Sequence, residues 1–130
     1  MLRLTALLGA LAVAIGAFGA HGLKELVGPE ELATFNTGVR YHFYHVFAMG
    51  LAAVLMAQPN LNPKRLTQAS WAWFIGILLF SGSLYLLTLK EQIGIPSSIL
   101  GPITPIGGLF FIGGWVLLFL APRGKQLAHY

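Results

Sequence analysis

Residues 69–89 read ASWAWFIGILLFSGSLYLLTL, an unbroken run without a single charged side chain. A helix rising 1.5 Å per residue needs about 20 such residues to cross the hydrocarbon core of a bilayer. A buried strand of a soluble domain is far shorter, so this run reads as a transmembrane helix. Outward from it, three more apolar runs of similar length occupy residues 4–20, 41–57 and 103–121. Together they predict an all-α polytopic membrane protein, one domain over residues 1–130 built as an antiparallel four-transmembrane-helix bundle. Composition agrees. Mean hydropathy is +0.74, and 9% of residues are charged where a soluble domain carries about a quarter.

Four crossings leave two sets of flanks. One set, the N-terminus with residues 58–67 and the C-terminal tail, carries Arg3, Lys64, Arg65, Arg123 and Lys125 and no carboxylate. The other, residues 21–40 and 90–102, carries Glu25, Glu30, Glu31 and Glu91 against Lys24, Arg40 and Lys90. Counting Lys and Arg alone, five against three predicts both termini in the cytoplasm and an inner (plasma) membrane location. The net charge of +4 and pI near 9.8 follow from that asymmetry. No basic run is dense enough to track phosphates, so a nucleic-acid partner is not expected. With no cysteine, disulfides, thiolate metal sites and thiol catalysis are excluded together. Arg3 and the small residues at Ala17 and Gly19 resemble a signal peptide. Its removal would leave three spans with basic flanks on opposite sides, so the first run is read as a retained helix.

Local signals divide the chain further. Gly9, Ala12, Gly16 and Ala20 form a small-residue stripe that lets a neighbouring helix approach closely. Gly28-Pro29-Glu30-Glu31 reads as a helix start, with Pro in the first turn and acids at the positive end of the dipole. The apolar positions Leu32, Phe35 and Val39 then suggest an amphipathic outer segment before the second span, either bent at Gly38 to lie on the membrane surface or continuing straight into that span. Trp71 and Trp73 are expected in an interfacial aromatic belt. Thr104-Pro105 reads as a cap and first turn. Gly107-Gly108 and Gly113-Gly114 offer close contacts in the last helix, and Gly16 and Gly108 are the positions where overpacking is expected to separate backbones.

Alternating helix direction predicts that polar residues meet in one outer-leaflet layer: His21, then Arg40, Tyr41, His42 and His45, then Ser81, Ser83, Tyr85 and Thr88, then Thr104. Polar groups within a bilayer face the protein interior or a cavity, which points to an outward-opening polar pocket. In it Tyr85 is expected to meet a histidine, the two serines to satisfy carbonyls of the first helix, and Arg40 to guard the rim. The ligand-binding candidates are His21, Arg40, His45, Ser81, Ser83 and Tyr85. Three readings of the histidines stand side by side: a metal or haem site, hydrogen bonds that fix the bundle, and ligand or proton handling. No carboxylate or cysteine stands at ligand spacing, so no metal and no cofactor are assigned. Ser81-Gly82-Ser83 lacks the strand-to-helix turn of a nucleophile elbow, and no catalytic residue is assigned, which leans away from an enzyme.

Four strings carry a family resemblance: residues 16–22 (GAFGAHG), 40–45 (RYHFYH), 80–85 (FSGSLY) and 104–108 (TPIGG). Over residues 2–122 the chain resembles the small four-helix membrane proteins of the domain-of-unknown-function 423 family. The resemblance implies the same architecture and supplies no biochemical activity. His42 stands where relatives carry residues such as Gln, which weakens a three-histidine metal site. The expected function is an integral membrane protein whose outer pocket binds a lipid or small amphiphile, or docks a partner membrane protein or a second copy. The alternative is a metal- or haem-binding accessory or sensor protein using His21 and His45. Because the chain has no cysteine, single cysteines report topology cleanly. An impermeant thiol reagent applied to intact cells should label Ser97→Cys and leave Asn60→Cys unmodified.

Overall fold

The structure, a computed structural model, describes residues 1–124. Lys125, one of the five cations counted on the basic flank, lies outside them. Among the described residues the chain is helical with no strand. The long elements are α1 (Leu2–Ala20), α2 (Pro29–Leu55) and α3 (Pro63–Gly76). A π-turn (Ile77–Ser81) carries α3 into α4 (Gly82–Thr88), and the short α5 (Lys90–Ile93) and α6 (Ser97–Leu100) lead to α7 (Ile103–Phe119). Three helical stretches, Leu2–Glu25, Pro63–Thr88 and Ser97–Phe119, are long and apolar enough to cross a membrane. α2 is long enough at 27 residues, about 40 Å, but Glu30, Glu31, Arg40 and His42 make its first half polar.

Several boundaries differ from the sequence reading, each for a local reason. Gly28 is extended and Pro29 opens α2 with Glu30 and Glu31 in its first turn, as expected. The helix then runs unbroken through Gly38, so the amphipathic residues 29–40 are its first turns and not a separate surface segment. α3 starts at Pro63, six residues ahead of the apolar run, because the Asn62 side chain accepts from the Lys64 N–H at 3.0 Å and caps it. α7 starts at Ile103 after Pro102, which frees the Thr104 hydroxyl from capping. Gly94, at φ 72°, ends α5 in the left-handed region, its N–H reaching the Lys90 carbonyl at 2.9 Å. At the opposite end, Asn62 N–H bonds the Ala121 carbonyl and Arg123 N–H bonds the Asn60 carbonyl, both at 2.8 Å. These bonds pin the end of α7 to the α2–α3 connection.

α1 packs along α2, α2 along α3 and α4, and α7 along α3 and the π-turn. The core joins Leu8, Val46, Met49, Ala52, Ala69, Trp73, Ile77 and Phe111. Trp73 is fully buried while Trp71 is half exposed; residues two apart on a helix face nearly opposite ways, so only Trp71 is free to join an interfacial belt. The outward faces hold Leu7, Phe47, Val54, Leu109 and Phe119, each more than half exposed. An apolar surface of that extent is what a lipid solvent requires.

Glycines set the closest approaches, at Gly107 and Gly114 of the two expected α7 pairs but not at Gly16 or Gly108. A Cβ on Gly107 would collide with the Phe80 backbone nitrogen and lie 2.8 Å from the Leu79 carbonyl carbon. On Gly108 it would meet only the Phe80 ring at 3.9 Å, and on Gly16 only the Val39 side chain at 3.4 Å. Gly107 is therefore the backbone-contact member of its pair. Gly107→Ala should lower thermal stability in detergent by about 1–3 kcal/mol, the usual cost of overpacking. Gly108→Ala should melt with the wild type.

Candidate functional site

The α2–α4 contact is a polar seam. Ser81, Tyr85 and Thr88 recur at helical spacing on the face turned to α2. Ser81 Oγ donates to the Gly38 carbonyl at 2.7 Å, and Tyr85 Oη lies 2.9 Å from His42 Nδ1. Thr88 Oγ1 reaches the Glu31 carbonyl at 3.3 Å and its own Leu84 carbonyl at 2.9 Å. Gly38 is required here because a Cβ would sit 2.9 Å from the Tyr85 ring. Tyr85 does meet a histidine, but it is His42 and not His45. Ser81 does satisfy a carbonyl of a neighbouring helix, but on α2 and not α1. His42 is buried, and its Nε2 has no hydrogen-bond partner.

Ser83 joins a second contact. Its hydroxyl donates to the Phe80 carbonyl at 2.9 Å and pairs with Thr104 Oγ1 at 2.6 Å, tying α4 to α7. The third contact is built on His45. Its Nδ1 lies 2.7 Å from the Tyr41 carbonyl, and Trp115 Nε1–H donates to its Nε2 at 3.2 Å. Indole can only donate, so Nε2 accepts and Nδ1 carries the proton to the Tyr41 carbonyl. The ring lies flat on Phe111, with centroids 3.5 Å apart and planes within 5°.

His21 is not brought to this layer. It is exposed beyond the end of α1, beside Gly22, Lys24 and Glu25. Gly19 abuts Phe35 across the α1–α2 contact, and His45 is ten residues further along α2, about 15 Å deeper. The pair proposed for metal or haem is thus separated, and both His45 nitrogens are already engaged. Among the described residues no group of three or more His, Asp or Glu side chains stands close enough to hold a metal ion. The residues do not fit a haem or metal centre built on His21 and His45.

The polar pocket expected in one layer is therefore three separate helix contacts, whose polar groups bond backbone carbonyls or one another. One of the openings at the surface is an aromatic groove of about 540 Å³ between α2, the π-turn and α7. Its walls are Tyr41, Tyr44 and His45 of α2, Phe80, and Gly108, Phe111, Ile112 and Trp115 of α7. Tyr41 and Phe80 approach to 4.8 Å between ring centroids and Phe80 and Phe111 to 5.3 Å. Of the six ligand-binding candidates, only His45 lines it. Arg40 is exposed one position before Tyr41, its guanidinium donating to Thr37 Oγ1 at 3.2 Å. Tyr44, Phe80, Phe111 and Trp115 were missed, although 108, 111, 112 and 115 show the spacing of one helix face.

Apolar-faced helices whose buried polar side chains bond backbone carbonyls or one another define a helical integral membrane protein. The sequence profile described as "Protein of unknown function (DUF423)" matches residues 15–108, and the chain belongs to that family. It is 46% identical over 112 residues to the UPF0382 membrane protein YwdK of Bacillus subtilis, covering 85% of each chain. It is 40% identical to the UPF0382 membrane protein SAB0533 of Staphylococcus aureus, over 92% of this chain and 95% of that one. A UPF0382 membrane protein of Haemophilus influenzae is 44% identical, over 90% of this chain and 88% of its own. No solved structure matches the chain.

The seam makes its own prediction. Tyr85→Phe leaves both His42 nitrogens without a partner and should cost about 1–3 kcal/mol. His42→Leu in the same background should recover part of that loss, because the stranded polar group is gone. Thermal melts of the four members of the cycle in one detergent measure the coupling.

Proposed function

We propose that this protein is a four-pass inner-membrane protein, both termini cytoplasmic, that holds a membrane lipid or small amphiphile in the groove between α2 and α7. α2 is the fourth crossing in this reading. Its length is sufficient, its polar side chains mostly turn inward or to the rim, and its neighbours α1 and α3 are apolar enough to span. The antiparallel bundle follows from short connections between successive helices, and the five-to-three cation bias sets its orientation.

The observation that carries the reading is the groove itself. It is concave, walled by rings and apolar side chains, and open on a surface that lipid would bathe. A flat lipid-facing helix pair offers an acyl chain only passing contacts, whereas a groove walled on three elements contacts it on several sides. Ser81, Ser83 and Tyr85 act in this reading as the fasteners that hold the groove's walls, and His45 as part of a wall. His21 has no part in it.

Filling the groove tests the idea without disturbing the seams. Gly108→Leu projects into the cleft from a position where a Cβ meets nothing closer than 3.9 Å. Native mass spectrometry after mild extraction should show lipid retained by the wild type and released from Gly108→Leu, with unchanged melting. Equal retention by both proteins would rule the groove out as the holding site.

A further inference from the structure

We infer that the groove selects a phospholipid with an anionic headgroup, and that Arg40 makes the selection. The inference rests on the groove reading above and adds the chemistry of the ligand's polar end.

Position comes first. Thr37, Tyr41 and Tyr44 follow at helical spacing on one flank of α2, so Thr37 stands one turn beyond the groove's aromatic wall. Arg40 points to the edge of that flank, but its guanidinium is drawn back to Thr37 Oγ1 at 3.2 Å. That bond holds the positive charge beside Thr37, one turn from Tyr41 on the side of the groove nearest the start of α2. Thr104, one turn before Gly108 on α7, marks the same end on the opposite wall. An acyl chain lying along Tyr41, Phe80, Phe111 and Trp115 would bring its glycerol and phosphate to this rim.

Charge comes second. α7 carries no charged residue, and neither does the π-turn. The nearest acid along α2 is Glu31, nine residues before Arg40 and about 13 Å away along the axis. Arg40 is therefore the one formal charge among the elements that wall the groove near its rim. One guanidinium N–H is used on Thr37, and the remaining donors of the fork are free for phosphate oxygens. A zwitterionic headgroup would bring its own cation beside the guanidinium, and an anionic one would not.

The experiment is competitive retention. The protein is equilibrated with vesicles of equal parts phosphatidylglycerol and phosphatidylcholine with matched acyl chains, and bound lipid is counted by native mass spectrometry. The wild type should keep phosphatidylglycerol over phosphatidylcholine by about fivefold, the preference one interfacial cation supplies. Arg40→Gln should bring the ratio close to one with total lipid retained, and Arg40→Lys should restore most of the preference. A wild type that keeps both lipids equally, while Gly108→Leu loses both, overturns the headgroup assignment and leaves the groove standing. A preference that survives Arg40→Gln also overturns it. No retained lipid in the wild type overturns the groove reading and this inference together.

Discussion

The α3–α7 seam governs most of what else is seen. Trp73 fills the space over Gly114, and Phe111 fills the space over Gly76, so each helix supplies both a ring and a notch. In lipid there is no hydrophobic force pressing helices together, and close van der Waals fit must hold them. One turn further along, Gly107 lies directly on the Leu79–Phe80 backbone, where α3 passes into the π-turn. An extra residue in a helical turn rotates everything after it by about 100°. Phe80 is thereby left beside Tyr41 and Phe111, while Ser81, Tyr85 and Thr88 face α2. The groove and the polar seam are two consequences of one packing arrangement.

That arrangement explains why polar side chains gathered at one end do not make a polar pocket. Most have a short local partner: Ser81 a backbone carbonyl, Ser83 a threonine, His42 a tyrosine, His45 a carbonyl and an indole. Where water is absent an unmade bond is costly, so such residues are drawn to the nearest complementary group. The exceptions are His42 Nε2 and Trp73 Nε1, buried without partners. Trp73 Nε1 lies in the tight contact over Gly114.

Helix class and the three apolar spans were legible in the sequence, because charge-free runs of that length have few other uses. The start of α2 was legible too, since Gly28-Pro29-Glu30-Glu31 combines a non-helical cap, a fixed φ and acids at the dipole. The continuity of α2 was not. Gly38 in sequence is compatible with a bend or a straight helix, and only the tyrosine ring seated against it shows that its role is clearance. Nor was the choice between Gly107 and Gly108 legible, because it depends on how α7 is rotated about its axis. His21 was misplaced in depth for a similar reason. Helix direction alone fixes which end a residue occupies, while its level depends on the α1–α2 register, set by Gly19 against Phe35. The burial of Trp73 against exposed Trp71 could have been read from their spacing.

The groove's rings are locked before anything binds. His45 is held by a carbonyl on one nitrogen, an indole on the other and the Phe111 face beneath it. Phe80 is clasped between Tyr41 and Phe111. Side chains that are already ordered lose little further entropy when a ligand arrives, so a cleft of this kind binds more tightly than its area alone would suggest. It also tolerates variation along an acyl chain, because apolar rings contact methylenes without regard to direction. The rim is different. Arg40 is exposed with one hydrogen bond to a threonine, free to turn toward whatever lies above it. In the proposed reading the wall supplies affinity and the rim supplies choice. Such a division lets a headgroup preference change by one surface substitution while the packed seams beneath stay as they are.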